Sequence, residues 1–251
     1  MVAHPGHELR IHGHLERFAP VVHVLTDGSG HTGRSRLGRT AEVLRETGAR
    51  AGSVFGRFTD VELYAALLRR EAEPFLSIAR ELAATLAPPG RAVLAADAAE
   101  GYNPSHDVCR LVADAAAGIA SARGSGVTSL EFPLDAAPDA GAADDPRASV
   151  LVLDDGELAR KLAAARRYAE LGDDVESAIA RFGVEAFRRE VLRPAKGGFD
   201  LRGRIGDPPF YERHGETRVK EGLYDDVVRF SAHVEPLARV LEAAVRECAS
   251  S

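Results

Sequence analysis

The chain has 251 residues, 45% hydrophobic and 28% charged, which is typical of one soluble α/β domain or of such a domain with a helical appendage. Its formal net charge of -6 argues against a nucleic-acid or anionic-membrane surface, since basic patches bind both. Cys109 and Cys248 form neither a CxxC unit nor a disulfide framework, so a reducing cytoplasm is expected. No signal-peptide pattern and no run of about 18 apolar residues is present, so no membrane span is expected.

The first strands predict where functional loops should lie. Residues 1–3 have the character of the end of a very short strand, and residues 8–18 are predicted as a short helix. Residues 21–25 form an apolar run of strand length that ends in a glycine-rich polar loop, residues 26–33. In open α/β sheets, ligands bind outside the carboxyl ends of the strands. The turns after both strands are therefore expected at that edge of a parallel sheet.

Helices and strands continue to alternate through the middle of the chain. The spacing predicts helices over 35–47, 60–86 and 105–122, and strands over 53–55, 92–96, 127–134 and 149–153. Thr59 and Glu62 match a capping box that opens the second of these helices. Pro74 lies inside that helix, where proline kinks or divides a helix. Residues 135–148, rich in Ala, Asp, Pro and Gly, are expected to form a surface loop.

From Asp154 onward the pattern is helical. It predicts helices over 155–171, 173–192, 210–221 and 224–247. The alternation of strands and helices before this point predicts a mostly parallel sheet with helices on both faces. We therefore expect a core formed by residues 1–153 and a C-terminal helical lobe, residues 154–251, packed on it as one compact domain.

Two short stretches carry the chemistry of a metal site. His4 and His7 lie three apart on the predicted strand-to-helix turn, where Pro5 stiffens the chain and Gly6 permits a close approach. His106 begins a helix after a later strand, at the same predicted edge. Catalytic zinc usually has three protein ligands and one water, so His4, His7 and His106 are predicted to hold Zn²⁺ or another divalent metal. The simpler alternative is that these histidines are ordinary solvated side chains.

The order of these motifs resembles that of the LmbE/PIG-L family of zinc-dependent de-N-acetylases. The chain reads AHPGHE near its start, then an apolar run ending in LTDG, then NPSH before a helix. In the family, the first and last of these motifs are usually AHPDDE and HPDH. The resemblance covers about residues 1–130. It implies a Rossmann-like fold and hydrolysis of N-acetyl groups on amino sugars and related glycoconjugates.

The resemblance also implies roles for individual residues. It makes His4 the first metal ligand and His106 the last, and His7 replaces the ligand aspartate with another competent ligand. Gly6 occupies the position of the general base, so that function is missing from its usual place. Asn103 replaces a histidine that helps to stabilise the oxyanion, a role that its side-chain N–H could perform. Its alternative role is to open the turn before the helix.

A replacement base would have to reach the water on the metal. The candidates are Asp27, at the end of the second strand, together with Glu8 and Asp107, and Asp27 is preferred. Asp27 could instead be a turn residue or could hydrogen-bond a ligand histidine. Asp107 could equally be a charge at a helix N-terminus.

The leading expectation is a cytoplasmic, zinc-dependent hydrolase of the de-N-acetylase type. Its partner would be a small-molecule substrate, an N-acylated sugar or a related compound. Because the usual base is missing, two alternatives stay open. One is a non-catalytic metal- or ligand-binding member of the same fold, and the other is an esterase or lactonase that uses a three-histidine metal centre.

Overall fold

The structure is a computed structural model that describes residues 1–86, 90–140 and 145–250. It is an α/β protein, which confirms the predicted class, and its strands pair in both parallel and antiparallel fashion. The chain divides into two compact units: unit 1 is Met1–Asp60 with Glu131–Pro194, and unit 2 is Val61–Leu130 with Ala195–Ser251. No helix within the described ranges is long and apolar enough to cross a membrane.

The elements follow in chain order. The α-helices are α1 (His12–Phe18), α2 (Leu37–Thr47), α3 (Asp60–Leu68), α4 (Glu73–Thr85), α5 (Pro104–Ala122), α6 (Asp155–Arg167), α7 (Gly172–Phe182), α8 (Phe210–Lys220) and α9 (Glu235–Ala249). The strands are β1 (Val21–Thr26), β2 (Arg50–Phe58), β3 (Arg91–Asp97), β4 (Gly126–Phe132), β5 (Ser149–Val152) and β6 (Arg189–Pro194). Short 3-10 helices lie at His7–Ile11, Gly30–Thr32, Ala169–Leu171 and Val184–Arg188, and a π-helical turn at Phe230–Val234 leads into α9.

Most of the predicted helices and strands are present. Where their first or last residues differ from the prediction, the cause lies in the local sequence. The strand predicted over 53–55 is the middle of the longer β2. The helix predicted over 60–86 is divided into α3 and α4, and Pro74 lies in the first turn of α4, where a missing N–H is harmless. The helix predicted from residue 224 is wrong in its start, since α9 begins at Glu235 with Pro236 in its first turn.

The prediction of a helix over 173–192 is wrong beyond Phe182. The helix α7 ends there because Gly183, at φ 78° and ψ 153°, turns the backbone out of the helix. The chain then forms β6, which pairs antiparallel with β5 from Ser149 opposite Leu192 onward. The stretch predicted as a wholly helical lobe therefore contributes a strand to unit 1.

In unit 1, the N-terminus runs parallel to β1. Val2 forms a parallel bridge with Val24, and β1 itself is parallel to β2. Thr26 donates its N–H to the carbonyl of Ala3 at 2.9 Å, which extends this pairing toward His4. The predicted first strand is thus reduced to a single bridge. Its carboxyl end still lies beside that of β1, as parallel pairing requires.

In unit 2, α5 is the central helix. Every residue from Pro104 to Ala117 is buried, and the helix packs against both α4 and α9. Its small side chains allow this close packing: a Cβ added to Gly118 would come within 2.7 Å of Val245. Since the helix is surrounded by packed side chains, its first turn, which carries the second predicted motif, is held in place.

A buried carboxylate fastens the start of α1 in unit 1. Glu190 of β6 accepts the backbone N–H groups of Gly13 at 2.8 Å and His14 at 3.0 Å, and its Oε2 lies 2.8 Å from the His14 ring Nδ1. The buried Lys161 of α6 donates to Glu190 and to the carbonyl of Arg10, both at 2.8 Å. The two backbone groups are among those that a helix N-terminus leaves unpaired, so this carboxylate takes the place of a cap.

The same contacts set the acidity of this carboxylate. Burial alone would raise the pKa of Glu190, but the charge of Lys161 and the hydrogen bonds from His14, Lys161 and Gly13 outweigh it and lower the pKa to about 2. A group whose pKa is depressed on folding stabilises the fold above its unfolded pKa of 4.5 and loses that contribution as the pH falls toward 2.

Replacing Glu190 with Gln is expected to lower the free energy of unfolding at neutral pH by about 3 kcal/mol, because Lys161 would stay buried without its counter-charge. The variant should also lose less stability than wild type as the pH falls from about 4.5 to 3, because the titrating group is gone. Urea unfolding at several pH values measures both effects. Glu46→Gln, which removes a surface pair with Arg167, is the control and should change stability by less than about 1 kcal/mol. The prediction would be contradicted if wild type and Glu190→Gln lost the same free energy of unfolding as the pH falls from about 4.5 to 3.

Candidate metal centre

The structure brings His4 and His7 side by side at the start of unit 1. Their ring centroids are 5.2 Å apart and their planes are inclined by 83°. The buried Gly6 lies between them at φ 105°, a left-handed conformation that lets the chain turn back. His4 is buried and His7 is half-buried.

The spacing of the two rings fits two ligands of one metal ion. Imidazoles bound to a tetrahedral zinc ion, each with a Zn–N distance of about 2.1 Å, have ring centroids roughly 5 Å apart. Within the described parts of the chain, no group of three or more His, Cys, Asp or Glu side chains is arranged to hold a metal ion. The ring spacing therefore supports two metal ligands, His4 and His7, and no third ligand is identified among the described residues.

The ring of His4 is held through its Nδ1. This atom lies 2.7 Å from the Thr26 hydroxyl oxygen and 3.1 Å from Oδ1 of Asp60. The second oxygen of Asp60 accepts the N–H of Gly30 at 2.6 Å. Burial would raise the pKa of Asp60, but the nearby His4 ring and the N–H of Gly30 hold that pKa well below its usual range.

These three side chains meet because they follow parallel segments. His4 comes after the Val2 bridge, Thr26 ends β1, and Asp60 begins α3 two residues after the end of β2. Sequence reasoning missed Asp60, which it treated only as the first residue of a helix. With β2 predicted only over 53–55, Asp60 stood five residues from the nearest strand. The signal that could have found it was its place after a strand parallel to β1.

Asp27 lies in a turn after β1. Its Oδ1 accepts the N–H of Ser29 at 2.9 Å, and its backbone carbonyl accepts the N–H of Arg36 at 2.8 Å. The side chain is half-buried. The structure thus shows the turn role that was one of its alternatives, while the carboxylate seen against His4 Nδ1 is that of Asp60.

Glu8 is inside unit 1 and supports the turn that carries the histidines. It is 1% exposed, and its Oε2 accepts the N–H of Gly6 at 2.7 Å. Burial raises the pKa of Glu8, although hydrogen bonds from the backbone, including that from Gly6, act in the opposite direction. Its observed contacts are with the turn itself.

Asn103 caps the central helix of unit 2. Its Oδ1 accepts the N–H of Ser105 at 2.8 Å and lies 3.4 Å from the hydroxyl of Tyr64. The alternative in which Asn103 opens the helix is therefore what the structure shows. Because the cap uses the amide oxygen, Nδ2 is the atom that would donate to an oxyanion.

The first turn of α5 places the remaining predicted residues. His106 is buried, with its ring 6.4 Å from that of Tyr102. Asp107 is buried as well, and its Oδ1 accepts the N–H groups of Glu100 and Gly101, each at 3.1 Å. Burial raises the pKa of Asp107 to about 7 against the effect of these two hydrogen bonds. One oxygen of this carboxylate thus holds the loop before the helix.

Comparisons with protein-family models, with curated proteins and with solved structures found no match for this chain. The resemblance to the LmbE/PIG-L family therefore rests on the motifs in the sequence.

Gly6 is a motif position at which the backbone favours glycine. A Cβ added there would lie 2.2 Å from Cδ1 of Leu171, and φ is 105°. The end of the Leu171 side chain can turn aside, so the left-handed backbone conformation accounts for most of the cost of a side chain at this position. An aspartate, the residue usual in the family, would bear the same backbone strain.

We expect Gly6→Ala to lower the free energy of unfolding by about 1–2 kcal/mol, the usual cost of a left-handed conformation for a residue with a Cβ. Gly6→Asp should lose at least as much. Gly38→Ala is the matched control, because Gly38 lies in α2 with open space around it and should lose nothing. Chemical denaturation of the three variants measures the difference, and equal losses at Gly6 and Gly38 would show that the turn does not require glycine.

Proposed function

We propose that this protein is a zinc-dependent hydrolase of the de-N-acetylase type that acts on an N-acylated sugar or a related small molecule. The observation that carries the proposal is the His4–His7 pair, whose rings have the separation of two ligands on one zinc ion. The pair lies at the carboxyl end of parallel strands, where Rossmann-like sheets bind their ligands.

The ligand roles follow from the contacts of each side chain. His4 would bind through Nε2, because its Nδ1 faces Thr26 and Asp60. His7 would supply the second ligand in place of the usual aspartate. His106 is assigned as the third ligand by the motif alone. A zinc ion held by these residues would polarise the substrate carbonyl and would lower the pKa of a coordinated water molecule toward 7.

The protein must then provide a group that takes a proton. Asp27 is the preferred base, because its half-buried carboxylate lies at the carboxyl end of β1. Glu8 is less suited, since it is buried and bonded to the Gly6 N–H. Asp107 is also less suited, because one of its oxygens already accepts two backbone N–H groups. Asn103 would steady the oxyanion through its Nδ2.

A non-catalytic metal-binding role is the second candidate. It is favoured by Gly6, whose conformation disfavours the aspartate that serves as base in the family. Incubation of the zinc-loaded protein with N-acetyl sugars and with simple aryl esters separates the possibilities. Acetate released from an N-acetyl sugar supports the proposal, and zinc bound with no substrate cleaved favours the binding role. Cleavage of esters alone would identify an esterase with the same metal centre.

The wild-type protein, expressed with added zinc, is expected to contain about one zinc ion per chain. The variants His4→Ala, His7→Ala and His106→Ala should each lose most of the bound zinc. A site with only three protein ligands binds zinc much more weakly when one of them is removed. Metal analysis of the dialysed proteins measures this.

The control for the zinc measurement is His233→Gln, which keeps an acceptor for the N–H of Arg229 and should retain the metal. A metal-free wild-type protein would overturn the proposal. Full zinc content in His106→Ala, with zinc lost in the other two variants, would remove His106 from the ligand set.

A further inference from the structure

The half-buried ring of His233, in unit 2, accepts a hydrogen bond from the backbone. The N–H of Arg229 donates to Nδ1 of His233 at 2.8 Å. The N–H of His233 donates in return to the carbonyl of Arg229 at 2.9 Å. A backbone N–H can only donate, so Nδ1 must be unprotonated in this arrangement. The neutral ring therefore carries its proton on Nε2, and a ring with protons on both nitrogens cannot make this bond.

The contact with His233 holds one end of the loop formed by residues 221–229, between α8 and the π-helical turn. Arg229 is the last residue before that turn. The next N–H, that of Phe230, donates to Oε1 of Glu212 in α8 at 2.7 Å. Two consecutive backbone N–H groups thus donate to side chains, one to a carboxylate and one to an imidazole. Of these two acceptors, histidine is the residue type that ordinarily changes its charge between pH 5 and 8.

We propose that the contact between the His233 ring and the Arg229 N–H is a pH-sensitive latch on this loop. Protonation of the ring by solvent places a donor at Nδ1 where an acceptor stood, so the N–H of Arg229 is released to water and this end of the loop loosens. The inference goes beyond the proposed zinc site and does not depend on it, because it concerns none of the residues assigned to that site.

The surroundings of the ring oppose its protonation. Burial and the charge of Arg70, which follows α3, lower the pKa of His233 below its usual 6.5. The charge of Arg229 acts in the same direction, and the carboxylates of Asp226 and Glu212 act against it. A histidine whose pKa is lowered on folding stabilises the fold fully above its unfolded pKa of 6.5 and loses that contribution as the pH falls through the lower folded value. The latch is therefore closed at neutral pH and opens in acid.

Hydrogen exchange of the Arg229 amide, measured by NMR on the full chain between pH 7.5 and 5 (a range set by the titration of histidine), tests the latch. Protection factors are compared, because they remove the ordinary pH dependence of exchange. Long-range ¹H–¹⁵N spectra of the same samples follow the His233 ring, which should carry its proton on Nε2 at the upper end of the range. As the ring becomes doubly protonated, the protection factor of the Arg229 amide should fall about 3–10-fold, the net contribution of one hydrogen bond.

Two variants separate the acceptor from the titration. His233→Asn places an amide oxygen near the position of Nδ1 and does not titrate, so protection of the Arg229 amide should stay near the neutral wild-type value throughout the pH range. His233→Ala has no acceptor, so protection should be low throughout. The matched control is His214→Asn, which removes an exposed histidine of α8 in the same unit and should keep the wild-type fall in protection.

The wild-type titration decides the inference even if a variant does not fold. A neutral ring with its proton on Nδ1 overturns it, and so does a protection factor of the Arg229 amide that stays constant while the His233 ring titrates. The amide of Leu223, at the other end of the loop, is the internal reference, because it donates to the carbonyl of Arg218 at 2.9 Å. An equal fall in protection at Leu223 and Arg229 would show a general loosening in acid and would contradict the latch.

Discussion

The parallel pairing of the N-terminal residues with β1 is the constraint on which the candidate metal centre depends. Val2 is bridged to Val24, and the bond from Thr26 N–H to Ala3 carries the pairing to the edge of the sheet. His4 must then leave the sheet beside the end of β1. Without this register, the imidazole would not meet the hydroxyl of Thr26, and a slip of one residue would turn it to the other face.

The turn after His4 depends on a glycine and a glutamate that act together. Gly6 adopts a left-handed conformation, and its N–H is taken by the buried carboxylate of Glu8. This arrangement sets His4 and His7 at their observed spacing. It also removes any side chain from the position between them. The same local geometry therefore sets the two histidine rings side by side and disfavours any side chain at position 6.

Two carboxylates in unit 1, the buried Glu190 and the half-buried Asp60, contact histidines, with different results. Glu190 contacts His14 and Lys161 in the interior and holds α1 against β6. Asp60 contacts His4 and the backbone of Gly30, at the end of a parallel strand. Both have a lowered pKa, so the shift alone does not separate a structural group from one at a functional site.

The sequence by itself determined the α/β class, most of the helices, an interruption of the 60–86 helix near Pro74, and the candidate histidines. These features depend on local periodicity, proline chemistry and motif order. Only the tertiary structure decided that residues 189–194 form a strand, because their strand character comes from pairing with β5. Only the tertiary structure brings Asp60 next to His4, because the two residues are far apart in the sequence and no local pattern connects them. Contacts between distant segments require the register of paired strands, and that register exists only once the chain has folded.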